Sequence, residues 1–441
     1  MISKLEKIIN RELYLYISIF YLLLKYTCFN KGREITYFLF IYAVIIFIFD
    51  FIKNKSIYKF DGYIYSYLIC GSAVLSCIVV AKTINVTAIS GIAILFINFF
   101  MYLPMFYKKD IKYIIKKFEF IFVVIIIYSF IKNSIGLFLA SKGIALSFFG
   151  VKYGALHGER LVTVRETANE TGWFAIFSIV SSIYFLIKSF DNAKCNLFKL
   201  FNDKVNLFII FNILIQIITF ILSGNRSSFI GIIVSLFAII YIYELRKQNK
   251  KLVLILRALF VVCSLLIFSY VYIKSLDSTG SEIARIDMIR FGIFYVFTVN
   301  PLLGSSYVKL WNDLDANFDI IWDKHTFNTP KEYLKQLTRD GNAHNVFIQQ
   351  LETNGILGLV FLLMFFIYVA KQVFTFAKSM IKDGIYFVEK SYFIFFIIFG
   401  FVVGNISWTI VGTMTCFVNF LFFLSISAVL AINNEYIIEK V

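Results

Sequence analysis

Charge, histidine and proline are what this chain has least of. Of 441 residues only 16 % are charged, three are histidine and three are proline. A soluble domain carries about a quarter charged residues, so a water-facing surface on all sides is excluded. Pro104, Pro301 and Pro330 leave most apolar stretches free of helix breakers. Pro104 falls late in the fourth such stretch and is expected to kink it. The six cysteines avoid the two longest polar stretches, and no CxxC pair or Cys/His cluster occurs. Nothing in that usage supports a disulfide framework or a structural zinc site.

Hydrocarbon is what abounds. Hydrophobic residues make up 60 % of the chain, 53 of them phenylalanine, and the mean hydropathy is +0.80. Many apolar runs approach the roughly 20 residues that cross a bilayer. The expected fold class is all-α, a polytopic integral membrane protein of about twelve helices. Its spans are placed at 13–29, 35–52, 63–80, 84–107, 118–140, 171–190, 205–222, 228–244, 252–273, 345–370, 392–411 and 413–433. A single membrane domain, 1–441, then carries two elaborated outer segments, 141–170 and 274–343. No internal repeat and no matched pair of Gly/Pro-broken spans is found, which weighs against an inverted-repeat transporter.

The +16 formal charge suggests nucleic acid until its distribution is read. With the N-terminus inside, 24 Lys and Arg residues fall on the inner side, counting Lys188 at the inner end of its span, against 8 in the short outer segments. That asymmetry puts both termini in the cytoplasm and leaves no nucleic-acid partner to invoke. Lys108-Lys109-Asp110-Ile111-Lys112, with Lys116 and Lys117, is the clearest inner anchor beside anionic headgroups. The first apolar stretch follows Lys4, Lys7 and Arg11 without a small-residue cleavage site, and reads as a retained span.

The outer segments hold the unusual chemistry. Glu282 to Val299 alternates charged and bulky apolar residues in a helical rhythm, fitting a helix laid on lipid or on the bundle. Asn300-Pro301-Leu302-Leu303-Gly304 follows, then a polar stretch with Trp311 and Trp322. Those indoles either stack on sugar faces or form the loop's own small core or an interface anchor.

Three inward-running helices are expected to start near polar residues. The sixth span follows Arg160, Arg165 and Asn169-Glu170-Thr171-Gly172; the eighth follows Ser223-Gly224-Asn225-Arg226-Ser227-Ser228; the tenth follows Asn342-Ala343-His344-Asn345. Each start has Asn, Ser or Thr able to cap free N–H groups, and each aims a positive dipole end outward. Helix starts with arginines make an anion site, and a lipid-linked pyrophosphate is the anion most available at that depth. Arg226 lies between two apolar runs only five residues apart, where an arginine either has a function or snorkels to headgroups. Arg285 and Arg290 are equally explained as i,i+3 partners of Glu282 and Asp287. Asn345, Gln349 and Glu352 share one helix face. Glu352 is either a functional carboxylate or half of a salt bridge. Gly355 and Gly358 behind them would let another helix approach. His157 and His325 read as loop residues.

These elements resemble the O-antigen polymerase and O-antigen ligase (Wzy-type, GT-C-like) superfamily of bacterial membrane glycosyltransferases. His344-Asn345, nine residues, then Gly355-x-x-Gly358 fits that family's His-Asn helix. Leu222-Ser223-Gly224-Asn225-Arg226-Ser227-Ser228 is similar to its Ser-x-Ser-Arg helix start, with Gly224-Asn225 where a second small hydroxyl residue is usual. Arg285 and Asn300-Pro301-Leu302-Leu303-Gly304 resemble the arginine and Pro-Leu-x-Gly element that follow, and Arg160 and Asn169 fit more loosely. The resemblance covers about 160 to 359; the first five spans match only in hydropathy.

The resemblance implies glycan transfer between lipid carriers on the outer face of the bacterial cytoplasmic membrane, with undecaprenyl pyrophosphate leaving. It makes His344 either the acceptor of the hydroxyl proton or the residue that orients the acceptor, and Arg226 and Arg285, assisted by Arg290 or Arg165, the stabilisers of pyrophosphate charge. Arg160, Arg165, Asn169, Arg290, Asn345, Gln349 and Glu352 then bind substrate. Neither metal nor cofactor is expected. The partners implied are an undecaprenyl-pyrophosphate-linked oligosaccharide, membrane lipid and a chain-length regulator. Three activities stay open: a polymerase of repeat units, a ligase of finished glycan, and a flippase or other transporter of lipid-linked sugars. A transporter should place charge near the midplane of several helices. Here Lys25, Lys132 and Arg257 are the only basic residues inside spans, while the histidine and arginine candidates cluster outside, which favours catalysis at the outer face.

Overall fold

A computed structural model of the protein describes residues 9–27, 33–54, 60–82, 86–144, 146–148, 151–153, 155–157, 160–162, 168–192, 203–259, 261–262, 281–339, 345–406 and 416–438. Its first helices are α1 (Arg11–Thr27), α2 (Arg33–Asn54), α3 (Tyr63–Ser76), α4 (Val86–Phe96) and α5 (Ile111–Ser141). The next are α6 (Ala168–Asn192), α7 (Lys204–Ser223) and α8 (Arg226–Arg246). Three helices, α9 (Ser281–Val299), α10 (Ser306–Lys324) and α11 (Lys331–Arg339), form an outer unit. The chain closes with α12 (Val346–Asp383), α13 (Phe387–Ile406) and α14 (Phe417–Ile438).

Eight of these helices are long and apolar enough to cross a membrane. α1 is shorter at 17 residues, and α5 carries several charges along its 31 residues. The ninth expected span, 252–273, lies mostly outside the described residues. Among the described residues the fold is almost entirely helical, as expected, with one addition. The expected outer loop 141–170 holds two small antiparallel pairs, β1 (Leu146–Phe148) with β2 (Val151–Tyr153) and β3 (Ala155–His157) with β4 (Arg160–Val162). Strands of three residues are too short for an alternating pattern to announce them.

The helices are inside out relative to a soluble bundle. α7 exposes Leu207, Phe211, Leu214, Ile218 and Ile221 while Asn212, Gln216, Thr219 and Ser223 are buried. Lipid-facing side chains must be apolar, so polar groups turn inward and bind one another. Asn133 of α5 donates to Gln216 at 2.5 Å, Gln216 to Asn212 at 3.0 Å, and Asn212 to Ser178 and Ser182 of α6 at 2.9 Å. In membranes each such bond is worth about 0.6–2 kcal/mol. Elsewhere phenylalanine fills the interior, as where Phe99, Phe365 and Phe423 meet edge to face or stacked.

Pro104 ends its span rather than kinking it. The i→i+5 turn Ile97–Tyr102 gives way to turns through Lys108, and the Pro104 carbonyl accepts Arg11 at 2.8 Å. Proline has no N–H to continue the ladder. Asn434 bonds Asp61, and Asn433 reaches Gln372 at 2.8 Å, so α14 ends beside the start of α3. α1 begins beside the end of α2, where Arg11 pairs with Asp50 at 3.1 Å. The first helix therefore starts, and the last one ends, at the same end of the bundle. Lys108, Lys109, Lys112, Lys116, Arg246 and Lys247 sit at that end too.

The outer unit has a core of its own. Met288, Phe291, Tyr295, Leu314, Phe318, Ile321 and Leu334 are buried together with Leu351 of α12. Trp322 lies between Phe318 and Phe327, both near-parallel to it, and His325 stacks on Phe294 at 3.6 Å. Trp322 thus serves the loop's own core. The Trp311 side chain lies outside the described residues. α9 rests on the bundle, packing against α12 at Gly292.

Candidate active site at three helix starts

The turn between α7 and α8 is short because its residues are suited to close one helix and open another. Gly224 takes φ 57°, donates its N–H to the Ile221 carbonyl at 3.1 Å and ends α7. Asn225 then caps α8, its Oδ1 accepting the Ser228 N–H at 3.1 Å and the Ser227 hydroxyl at 2.8 Å. Arg226, the first helical residue, is left exposed at the bundle's edge.

The start of α6 packs directly on this turn. Asn225 Nδ2 donates to the Asn169 carbonyl at 2.8 Å. A Cβ at Gly172 would lie 2.6 Å from the Asn225 Cβ and 2.8 Å from the Ser223 hydroxyl, so glycine permits the approach.

α13 links α8 to α12. Gly231, one turn and a half into α8, faces Phe399 and Val403, and Asn405 two residues on receives Asn345 at 3.5 Å. The starts of α8 and α12 therefore lie at the same end of α13. Asn345 caps α12, accepting from the Phe347 and Ile348 N–H groups at 3.0 and 3.2 Å. The structure so brings Asn169, Arg226 and Asn345 to one end of the bundle. His344, next to Asn345, lies outside the described residues, as do Arg165 and the side chain of Arg160. The Arg160 backbone pairs across β3 and β4 with His157.

Ten residues below Asn345, α12 breaks. Gly355 has φ 65° and ψ −165°, and the turn after α9 is plugged into the gap. Pro301 and Leu302 carbonyls accept the Ile356 and Leu357 N–H groups at 2.9 and 3.2 Å, and Ser305 N–H donates to the Glu352 carbonyl at 2.9 Å. The Ser76 hydroxyl lies 2.7 and 3.0 Å from the Leu303 and Thr353 carbonyls. The Ile356 and Leu357 N–H groups and the Glu352 and Thr353 carbonyls, freed by the break, so find partners, as hydrocarbon surroundings require. The expectation that Gly355 and Gly358 admit a neighbouring helix needs correcting. A Cβ at Gly355 would collide with the Leu302 carbonyl, and one at Gly358 with the side chain of Asn354. Backbone docks at one and a folded-back amide occupies the other.

The half-helix Val346–Asn354 is buried and polar. Gln349, Gln350, Glu352, Thr353 and Asn354 are all at most 5 % exposed. Among the described residues, the Gln349, Gln350 and Asn354 amides make no hydrogen bond. A buried amide left unpaired costs about 1–3 kcal/mol. Gln350 and Asn354 stand out in the sequence as polar residues four apart in an apolar span, off the face that Asn345, Gln349 and Glu352 share. Glu352 presses its carboxylate against Gly292 of α9 and has no salt-bridge partner among the described residues.

α9 runs parallel to this half-helix: Gly292 meets Ile348 and Glu352, and Gly304 further on meets Gly355. Arg285, seven residues before Gly292, lies on the same face about 10 Å nearer the start of α12. It is exposed, and the side chain of Glu282, its expected i,i+3 partner, lies outside the described residues. Arg290 takes the i,i+3 geometry, pairing with Asp287 at 3.2 Å and donating to the Thr326 carbonyl at 2.9 Å. Buried Asp287 also accepts the Asn328 and Thr329 N–H groups at 2.8 and 2.7 Å. At the unit's surface Lys331 and Lys335 flank Asp319 at 2.9 and 3.4 Å. The hydrogen bond from Lys331 holds the Asp319 carboxyl below its usual range. A depressed carboxyl loses its contribution only as pH falls through the lowered value, so neutral pH leaves this contact intact.

Residues 211–363, from within α7 to within α12, match the family model described as O-antigen ligase. The match agrees with the superfamily that the helix-start motifs resemble. No curated protein matches the chain.

Proposed function

We propose, from the O-antigen ligase domain carried by residues 211–363, that this protein is a membrane glycosyltransferase that polymerises lipid-linked oligosaccharide repeat units. The observation that carries the reading is the place of the matched motifs. Arg226 and Asn345 open helices whose starts lie at the same end of α13, with Arg285 on the α9 face that points toward them. The bundle end that gathers Lys108, Lys109, Arg246 and Lys247 faces the cytoplasm by the positive-inside rule. The helix starts then open on the far side of a bacterial cytoplasmic membrane, where undecaprenyl-pyrophosphate-linked glycans are met.

A sugar hydroxyl of the acceptor attacks the anomeric carbon of the donor. The new C–O bond forms as the bond to pyrophosphate breaks, and the hydroxyl proton passes to the His344 imidazole, a side chain type suited to accept a proton near neutral pH. Arg226 and Arg285 hold the departing undecaprenyl pyrophosphate, since guanidinium stays charged and forks onto phosphate oxygens. The amides of Gln349, Gln350 and Asn354, unpaired among the described residues, offer hydrogen bonds that suit sugar hydroxyls better than hydrocarbon. Arginines supply the charge, so no metal is required. Arg290, committed to Asp287 and Thr326, contributes mainly by holding the outer unit in place.

The family description itself favours a second reading, a ligase that moves finished glycan to another acceptor. Deleting the gene and running the cell polysaccharide on a gel separates the two. A single repeat on its carrier supports the polymerase, unattached full-length polymer the ligase, and normal polysaccharide contradicts both.

A further inference from the structure

Asn225 departs from the small hydroxyl residue usual at its place, and its amide uses its two ends for different tasks. Oδ1 accepts the Ser228 N–H and the Ser227 hydroxyl, closing the start of α8. Nδ2 donates to the Asn169 carbonyl of α6 at 2.8 Å. A backbone N–H can only donate and a carbonyl can only accept, so the partners dictate which way the amide points. A serine has one oxygen and cannot stand at both points. Gly172 completes the arrangement, because any Cβ there would press on the Asn225 side chain at 2.6 to 2.8 Å.

We infer that Asn225 is a positioning residue: through the Asn169 carbonyl it fixes the start of α6 against the start of α8 and so aims Arg226 at the leaving pyrophosphate. The inference rests on the glycosyltransferase reading. It assigns no contact with substrate to Asn225 itself. Misplacing a charge-stabilising group by about 1 Å can cost a hundredfold in rate, and the group is used most in the transition state. The loss should therefore fall on turnover more than on substrate binding.

The test uses full-length protein in membranes, with undecaprenyl-pyrophosphate-linked repeat extracted from the deletion strain as substrate. Asn225→Asp keeps the capping oxygen and removes the donor. Gly172→Ala leaves Asn225 intact and pushes it aside. Each should lower kcat about tenfold or more with KM nearly unchanged, at wild-type protein level. The double variant should be little worse than either single one, since both break the same link. Asn225→Gln, which keeps both ends on a longer stem, should recover part of the loss. Wild-type kcat in Asn225→Asp, or losses that simply add in the double variant, overturn the inference. So does an effect confined to protein level. Arg226→Ala serves as the separate control. If it is inactive while Asn225→Asp is normal, only the positioning role falls; if it is fully active, the catalytic reading itself falls.

Discussion

Ile356, deep within the longest helix of the bundle, gives its backbone N–H not to its own helix but to the Pro301 carbonyl, at 2.9 Å. The bond exists because Gly355 turns to φ 65° and lets the turn at Pro301, 55 residues earlier in the chain, dock in the break. It ties the outer unit, α9 to α11, to the same helix that Asn345 opens.

Gly355→Ala should therefore do more than fill space. The left-handed backbone costs a non-glycine residue about 1–3 kcal/mol, and the new Cβ meets the Leu302 carbonyl. Thermal unfolding in detergent should show a clearly lower Tm with polymer formation lost. Gly71→Ala, on an open stretch of α3, should leave both unchanged.

Asp287→Ala should loosen the outer unit alone. It strands the Asn328 and Thr329 N–H groups and Arg290, at roughly 2–4 kcal/mol. Limited proteolysis should then cut within 281–339 faster than in wild type. Arg290→Gln removes a half-exposed partner and should cost less than about 1 kcal/mol. Equal proteolysis in both variants would contradict the ranking.

Much of the site could be read before any coordinates. The expected helix starts at 171, 228 and 345 fall within three residues of those found, because Asn caps and glycine stops act locally. Asn345 and Asn225 cap as anticipated. The break at Gly355 was not legible. Its cause lies at Pro301 and Leu302, more than fifty residues upstream, and a glycine looks the same whether it admits a helix or a turn. The β3–β4 pair under Arg160 escaped for the opposite reason, being too short to leave a pattern.

Arg226→Lys should behave nearly as badly as Arg226→Ala. A lysine keeps the charge but loses the planar fork onto phosphate. Gel analysis of polysaccharide from complemented deletion cells reads the result. Full rescue by lysine would reduce Arg226 to a point charge.

Chelation should leave the reaction untouched, since guanidinium groups carry the charge work. Purified protein treated with excess EDTA should polymerise at its untreated rate. Activity lost to EDTA and restored by magnesium would refute the arginine-based account.

The most direct measurement places purified protein with lipid-linked repeat and compares the wild type with His344→Ala on a gel. The account predicts a ladder of lengthening chains from the wild type and unextended substrate alone from the variant, at equal membrane insertion. A normal ladder from His344→Ala would contradict it.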